Sequence, residues 1–238
     1  MKYTKQFTAA AMAGLIGAMT LFSSVTAYAA TGWQQSGSTY YYYDANGELH
    51  KGWLNTENGY YYLNLSTGKM TVGWEKINNK WYYFQGNGVM ATGWVKDNGK
   101  YYYMLTDGTM HTGWVSIDGV YYYLGDSGAM ATGWVNMDNG WYYFDPNDGK
   151  CTVNSAREIK DSWYMFGSDG KMVIGWQQVD GGYYYFHTDG KMLTGWLSDG
   201  TNSYYMDPAN GRMSTGWKQI ENSYYYFNNS GHKLTGWI

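Results

Sequence analysis

The chain has 238 residues, 20% of them aromatic (13 Trp, 28 Tyr, 7 Phe), with 33 Gly, 2 Pro and 1 Cys. This composition excludes a disordered chain, which would be poor in aromatics, and an intrachain disulfide scaffold. The balance of 16 basic and 19 acidic residues, a net charge of −3, excludes a nucleic-acid binder that works by charge.

Residues 1–29 read differently from the rest. They hold no acid and two bases, Lys2 and Lys5, then an apolar stretch from Ala9 to Phe22 that ends in Ala27-Tyr28-Ala29. A short basic start, an apolar run and a small-x-small site predict a secretory signal peptide cleaved after Ala29. The run is short for a membrane span and is diluted by Gly14, Gly17 and Thr20. No later segment is apolar enough to cross a bilayer, so residues 30–238 are expected to be secreted, with a net charge of −5.

From residue 32 onward one unit recurs. Gly-Trp stands at 32–33, 52–53, 73–74, 93–94, 113–114, 133–134, 175–176, 195–196, 216–217 and 236–237. The tryptophans are 20, 21, 20, 20, 20, 42, 20, 21 and 20 residues apart. The gap of 42 is two periods with one pair eroded, and Val153-Asn154 is read as the eroded pair. The chain is therefore expected to hold ten repeats over 30–238, the seventh eroded around 150–166.

Residues 93–114 typify the unit. A short strand leads from Gly93-Trp94 to a two-residue turn at Asn98-Gly99, where both positions tolerate positive φ. Asn58-Gly59, Asp118-Gly119, Asn139-Gly140 and Gly181-Gly182 repeat that chemistry. The aromatic run Tyr101–Met104 forms the returning strand. A second glycine follows in every unit: Gly47, Gly68, Gly88, Gly108, Gly128, Gly149, Gly170, Gly190, Gly211 and Gly231. Two residues on is a slot usually filled by Met, read as Cys at 151 and Leu at 49 and 234. A lone hairpin is marginal in water. Ten that bury aromatic faces on one another can be stable, so the predicted fold is an all-β solenoid of stacked hairpins.

Strand alternation puts the first and third aromatics of each run on one face and the second on the other. The second position is Tyr in all ten units (41, 61, 82, 102, 122, 142, 164, 184, 204 and 225) and is read as interior packing. The other face carries the Gly-Trp tryptophan with the first and third aromatics. A neighbouring hairpin can complete an open box of rings, suited to a weakly hydrated cation and above all to a quaternary ammonium. A nearby Met would add a polarizable wall.

The consensus Gly-Trp-x5–6-Trp/Tyr-Tyr-Tyr-Phe-x-Asp/Ser-Gly-x-Met-x-Thr-Gly-Trp resembles the choline-binding (cell-wall-binding) repeat of Gram-positive bacteria and their phages, across 32–238. The resemblance implies a left-handed superhelix of hairpins that binds choline or phosphocholine on teichoic and lipoteichoic acids, without cofactor or catalytic domain, at the cell surface. It also implies sites built from the tryptophan and first aromatic of one repeat with the third aromatic of the next. Six sets are complete: Trp33, Tyr40, Tyr62; Trp53, Tyr60, Tyr83; Trp74, Trp81, Tyr103; Trp94, Tyr101, Tyr123; Trp114, Tyr121, Tyr143; and Trp176, Tyr183, Tyr205. Weak or absent binding is expected where Trp134 and Trp141 would face Met165, where Asn154 replaces the tryptophan beside Trp163, and where Ser203 replaces the first aromatic beside Trp196. Trp217 and Tyr224 have no following hairpin and would stay open or be completed by a second copy in a homodimer.

Other aromatic-glycine repeats engage carbohydrate, so glucan or host-glycan binding is the rival expectation, and a host-facing adhesin anchored by choline is a third. The four histidines, His50, His111, His187 and His232, lie in linking loops at apparently unrelated places and show no metal-ligand spacing. No nucleophile–base pair, phosphate loop or carboxylate pair recurs.

Overall fold

The computed structural model describes residues 30–137 and 140–236. The signal peptide, Asn139 of one expected turn, and Trp237 lie outside the described residues. Twenty short strands pair into ten antiparallel hairpins. In order these are Gly32–Ser36 with Thr39–Tyr43, Gly52–Thr56 with Gly59–Leu63, Gly73–Ile77 with Lys80–Phe84, Gly93–Asp97 with Lys100–Met104, and Gly113–Ile117 with Val120–Leu124. The last five are Gly133–Met137 with Gly140–Phe144, Ser155–Ile159 with Ser162–Phe166, Gly175–Val179 with Gly182–Phe186, Gly195–Ser198 with Ser203–Met206, and Gly216–Ile220 with Ser223–Phe227. No helix of the described residues is long and apolar enough to cross a membrane.

Contacts divide the chain into two compact units. One runs to Leu54 and includes Leu63–Met70; the other holds Asn55–Tyr62 and everything from Thr71 on. In the first, Met70 N–H donates to the Tyr40 carbonyl at 2.8 Å and Trp33 packs edge-on against Tyr42 at 5.3 Å.

The second unit shows how hairpins become a solenoid. After each hairpin the linker runs back between it and its predecessor. Met110 N–H donates to the Trp81 carbonyl of the previous hairpin, and His111 N–H to the Tyr103 carbonyl of its own, both at 2.8 Å. The same pair of bonds recurs at Met130 and Ala131, at Met172 and Val173, and at Met192 and Leu193. Main-chain hydrogen bonds thus run along the stack as well as within each hairpin, which satisfies strand edges that an isolated hairpin would leave open.

The turn at Asn98-Gly99 has φ of 47° and 78°, and that at Asp118-Gly119 has 52° and 78°, as tight hairpins require. Two expected turns are displaced by one residue. Strand bounds place them at Glu57-Asn58 and Asp180-Gly181, so Gly59 and Gly182 begin the returning strands, as Gly140 also does. Between hairpins, Gly108 has φ of 81°, and a Cβ there would lie 2.2 Å from Met90 Sδ. The second glycine is therefore fixed by backbone shape and by the methionine of the preceding repeat packed beneath it.

The stack interior has a second contributor beside the expected tyrosines. Its fully buried residues are the fourth of each run, Phe84, Met104, Leu124, Phe144, Phe166, Met206 and Phe227. The second-position tyrosines share that face as expected: Tyr61, Tyr142, Tyr164 and Tyr204 are buried, and Tyr82, Tyr102 and Tyr122 half-buried.

Candidate functional site

The fourth and fifth hairpins build the arrangement most plainly. Trp94 pairs across its hairpin with Tyr103, edge-on at 5.1 Å. Tyr101, two residues before Tyr103, stands on the same face. The fifth hairpin presents its opposite face, from which Tyr122 reaches 5.0 Å from the Trp94 ring. Trp94, Tyr101, Tyr122 and Met130 line a cavity of about 330 Å³, with Asn147 and Asp148 at its edge.

The box repeats along the second unit. Trp74, Trp81, Tyr102 and Met110 line one of about 330 Å³, with Trp74 4.8 Å from Tyr102. Trp114, Tyr121, Tyr142 and Cys151 line one of about 280 Å³, beside Asp169. Trp134 lies 4.8 Å from Tyr164 and 6.3 Å from Trp141, with Met172 packed against the same cluster. Trp176 lies 5.0 Å from Tyr204. Tyr204 Oη donates to Asp199 Oδ2 at 2.9 Å, which holds the ring in place. That carboxylate sits well below the usual carboxylate range because it accepts backbone N–H bonds from Asn202 and Thr201 and then the Tyr204 hydroxyl.

The third wall thus differs from the expected one. The structure brings Trp74 together with Trp81, Trp94 with Tyr101, and Trp114 with Tyr121. The ring arriving from the next hairpin is Tyr102, Tyr122 or Tyr142, not Tyr103, Tyr123 or Tyr143. Likewise Trp176 meets Tyr204 rather than Tyr205. The reason is the stacking sense: hairpins in the same orientation set the front of one against the back of the next, and the third aromatic is on the front. Each third aromatic instead packs on its own tryptophan, as Tyr123 does on Trp114 at 5.4 Å.

This rule changes the expected weak junctions. Trp134 and Trp141 have a full complement of rings, because Tyr164 and not Met165 faces them. In the seventh hairpin the register pairs Ser155 with Phe166 and Ala156 with Met165, as Gly133 and Trp134 pair with Phe144 and Tyr143 in the sixth. Ser155-Ala156, not Val153-Asn154, is the eroded Gly-Trp, and the missing tryptophan is at Ala156. At the ninth hairpin Trp196 meets Tyr225 at 5.1 Å, but Lys233 fills the methionine slot. Its N–H donates to the Ser203 carbonyl at 2.8 Å as Met130 N–H does to Tyr101, so the slot is residue 233 rather than Leu234. Lys233 Nζ lies 5.6 Å from the Trp196 ring and 5.7 Å from the Tyr225 ring.

Among the remaining expected residues, Tyr40, Trp53 and Tyr60 are exposed, Trp33 and Tyr83 half-buried and Tyr62 buried. The sets Trp33, Tyr40, Tyr62 and Trp53, Tyr60, Tyr83 draw on both units. Trp217 and Tyr224 are the most exposed aromatics of the expected sites, at 65% and 67%.

The electrostatics favour a cation. Ring faces already attract the protein's own ammonium groups: Lys96 Nζ lies 5.1 Å from Tyr101 and Lys76 Nζ 5.9 Å from Trp81. Asp169 adds negative charge beside the Trp114 box, whereas Asp148 beside the Trp94 box is paired with Lys150 Nζ at 2.9 Å. Cys151 is buried, and burial pushes its thiol up to about 11, so it is a neutral apolar wall. His50 and His111 share one slot after all, each ring 2.9 Å from the carbonyl of the tryptophan three residues on. Among the described residues no three of His, Cys, Asp and Glu gather as a metal site.

The choline-binding repeat family model matches residues 71–112, 111–155 and 173–215, and the cell wall binding repeat matches 31–49 and 215–233. The chain belongs to the choline-binding repeat family. Similar solved structures include CbpJ from Streptococcus pneumoniae TIGR4 (26% identity over 85% of this chain and 94% of that one, TM-score 0.61). The choline-binding domain of CbpL from Streptococcus pneumoniae is 29% identical over 81% of this chain and 99% of that one, with TM-score 0.58. Choline binding protein F from the same organism is 25% identical over 86% and 94%, with TM-score 0.59. A search of curated proteins gives no significant match.

Proposed function

We propose that the chain is a secreted, non-catalytic protein of the cell surface that holds choline residues of teichoic and lipoteichoic acids, taking choline or phosphocholine as ligand and needing no cofactor. One observation carries this reading. Five junctions of the second unit repeat the same three-ring arrangement: Trp74, Trp81, Tyr102; Trp94, Tyr101, Tyr122; Trp114, Tyr121, Tyr142; Trp134, Trp141, Tyr164; and Trp176, Tyr183, Tyr204.

The chemistry follows from the walls. A trimethylammonium group is bulky and weakly hydrated, so it loses little on leaving water. Each ring face contributes roughly 0.5–2 kcal/mol, depending on how far the contact is desolvated. The thioether of Met110 or Met130 supplies soft contact with the methyl groups. Asp169 adds a screened attraction at the Trp114 box. The boxes are open on one side, which leaves room for the hydroxyl or phosphate end of a choline carried on a polymer.

One such site is weak, but several engaging one polymer gain avidity of about 10²–10⁴. The exposed Trp217 and Tyr224 offer half a box that a second copy could complete as a homodimer. Retention on choline-bearing walls tests the reading. High free choline should release the protein, and walls grown without choline should not retain it. Retention indifferent to both overturns it.

A further inference from the structure

Where Ala156 replaces the tryptophan, the junction opens into a cavity of about 910 Å³, against about 330 Å³ for the Trp94 box. The remaining walls of a box persist. Trp163 is 43% exposed and lines the cavity with Tyr184 and Met192. The same hairpin also lines the cavity with Asn154 and Ser155 at its open end and Asp161 in its turn, whose side chains make no hydrogen bond to another described residue. His187 and Lys191 lie further along the rim, and Lys191 Nζ is 3.3 Å from Asp189 Oδ2.

This is a poor site for a methylated ammonium. The tryptophan that would face the cation is gone, and a head group would leave most of the volume to water. An anion fares no better, because Asp161 opposes it and Lys191 is already paired. The lining has an exposed indole face with an uncommitted carboxylate at one end of the hairpin and an amide and a hydroxyl at the other. That pattern matches a ligand with one apolar face and hydrogen-bonding edges. The volume lies at the upper end of the range for small-molecule sites, about 300–1,000 Å³.

We propose that this cavity is a separate binding site for a neutral oligosaccharide of about two or three rings. One pyranose stacks on Trp163 with a hydroxyl on Asp161 in the hairpin turn, and a further ring reaches Ser155 and Asn154 at the open end of the same hairpin. The inference stands apart from the choline boxes, which use other junctions.

The test uses the full secreted chain. Isomaltotriose, maltotriose and N,N′-diacetylchitobiose are titrated separately by calorimetry and by saturation-transfer NMR, and choline is titrated into the same preparations. The wild-type protein should bind at least one sugar in the millimolar range. Trp163→Ala should abolish that binding. Ala156→Trp, which restores the residue found in the other repeats, should weaken sugar binding at least tenfold. Because Ala156→Trp completes a box with Trp163, Tyr184 and Met192, it should also add one choline equivalent where the boxes bind choline. Absence of sugar binding up to about 20 mM, far above the range of a single weak site, overturns the proposal. So does sugar binding unchanged in Ala156→Trp. Choline binding without sugar binding defeats this inference alone, whereas sugar binding without choline binding defeats the choline reading alone.

Discussion

Replacing Lys233 by Met should create a choline site. In the wild-type protein the Lys233 ammonium lies 5.6 Å from Trp196 and 5.7 Å from Tyr225, over the two ring faces that a bound cation would use. At a partly exposed site each such contact is worth about 0.5–1 kcal/mol. Two contacts give about 1–2 kcal/mol, so the tethered ammonium occupies the box about 5–30-fold more often than it leaves it. A ligand that needs the vacated state is weakened by that factor. Lys233→Met should therefore tighten this junction about 5–30-fold, seen in equilibrium dialysis as one more choline per chain at low millimolar ligand. Lys233→Gln, which loses the charge but offers no thioether, should give part of the gain. Adding Ser203→Tyr to Lys233→Met should strengthen the site further by supplying the missing first aromatic. If Lys233→Met and Lys233→Gln both leave the choline isotherm unchanged, the lysine does not compete and the reasoning fails.

Three further outcomes are expected. Tyr122→Leu should remove one wall of the Trp94 box and lower the choline count by one, whereas Tyr123→Leu should leave that box intact and cost thermal stability, because Tyr123 packs on Trp114; calorimetry and melting curves separate the two. The Cys151 thiol, pushed up to about 11 from 9.0, should react with iodoacetamide at pH 8 at least about a hundredfold more slowly than a free thiol, and equal rates would refute its burial. Asp145 is held below its ordinary value first by the Arg157 guanidinium and then by the Asn147 N–H. Its contribution to stability is full above the unfolded carboxylate pKa of about 3.9 and disappears as pH falls through the lower folded value. Asp145→Asn should thus lower the melting temperature at pH 7 and cost progressively less as pH falls below about 4, while a loss independent of pH would exclude the ion pair.

The sequence makes the repeat, the hairpins and the second glycines legible because each rests on local backbone chemistry. Gly-Trp and Gly108-type positions recur at fixed spacing, and positive φ has few solutions in a protein chain. The third wall of the box depends on something non-local. Alternation tells which face of a hairpin Tyr122 and Tyr123 occupy, but not which face meets the preceding hairpin; that is set by the linker bonds from Met130 to Tyr101 and from Ala131 to Tyr123. The eroded repeat misled for a different reason. The linker before it carries two extra residues, so counting forward from Trp134 lands on Asn154. Counting back from Trp163 by the seven residues that separate Trp94 from Tyr101 reaches Ala156, and that signal was available. The same counting from Gly231, matched to Gly211 and Met213, places Lys233 in the methionine slot.

The most direct test of the central claim is a crystal structure of the protein soaked in choline. A trimethylammonium group should be found against Trp94, Tyr101 and Tyr122, and at the four equivalent junctions of the second unit. Density confined to other surfaces, or those five boxes holding solvent at saturating choline, would contradict the account.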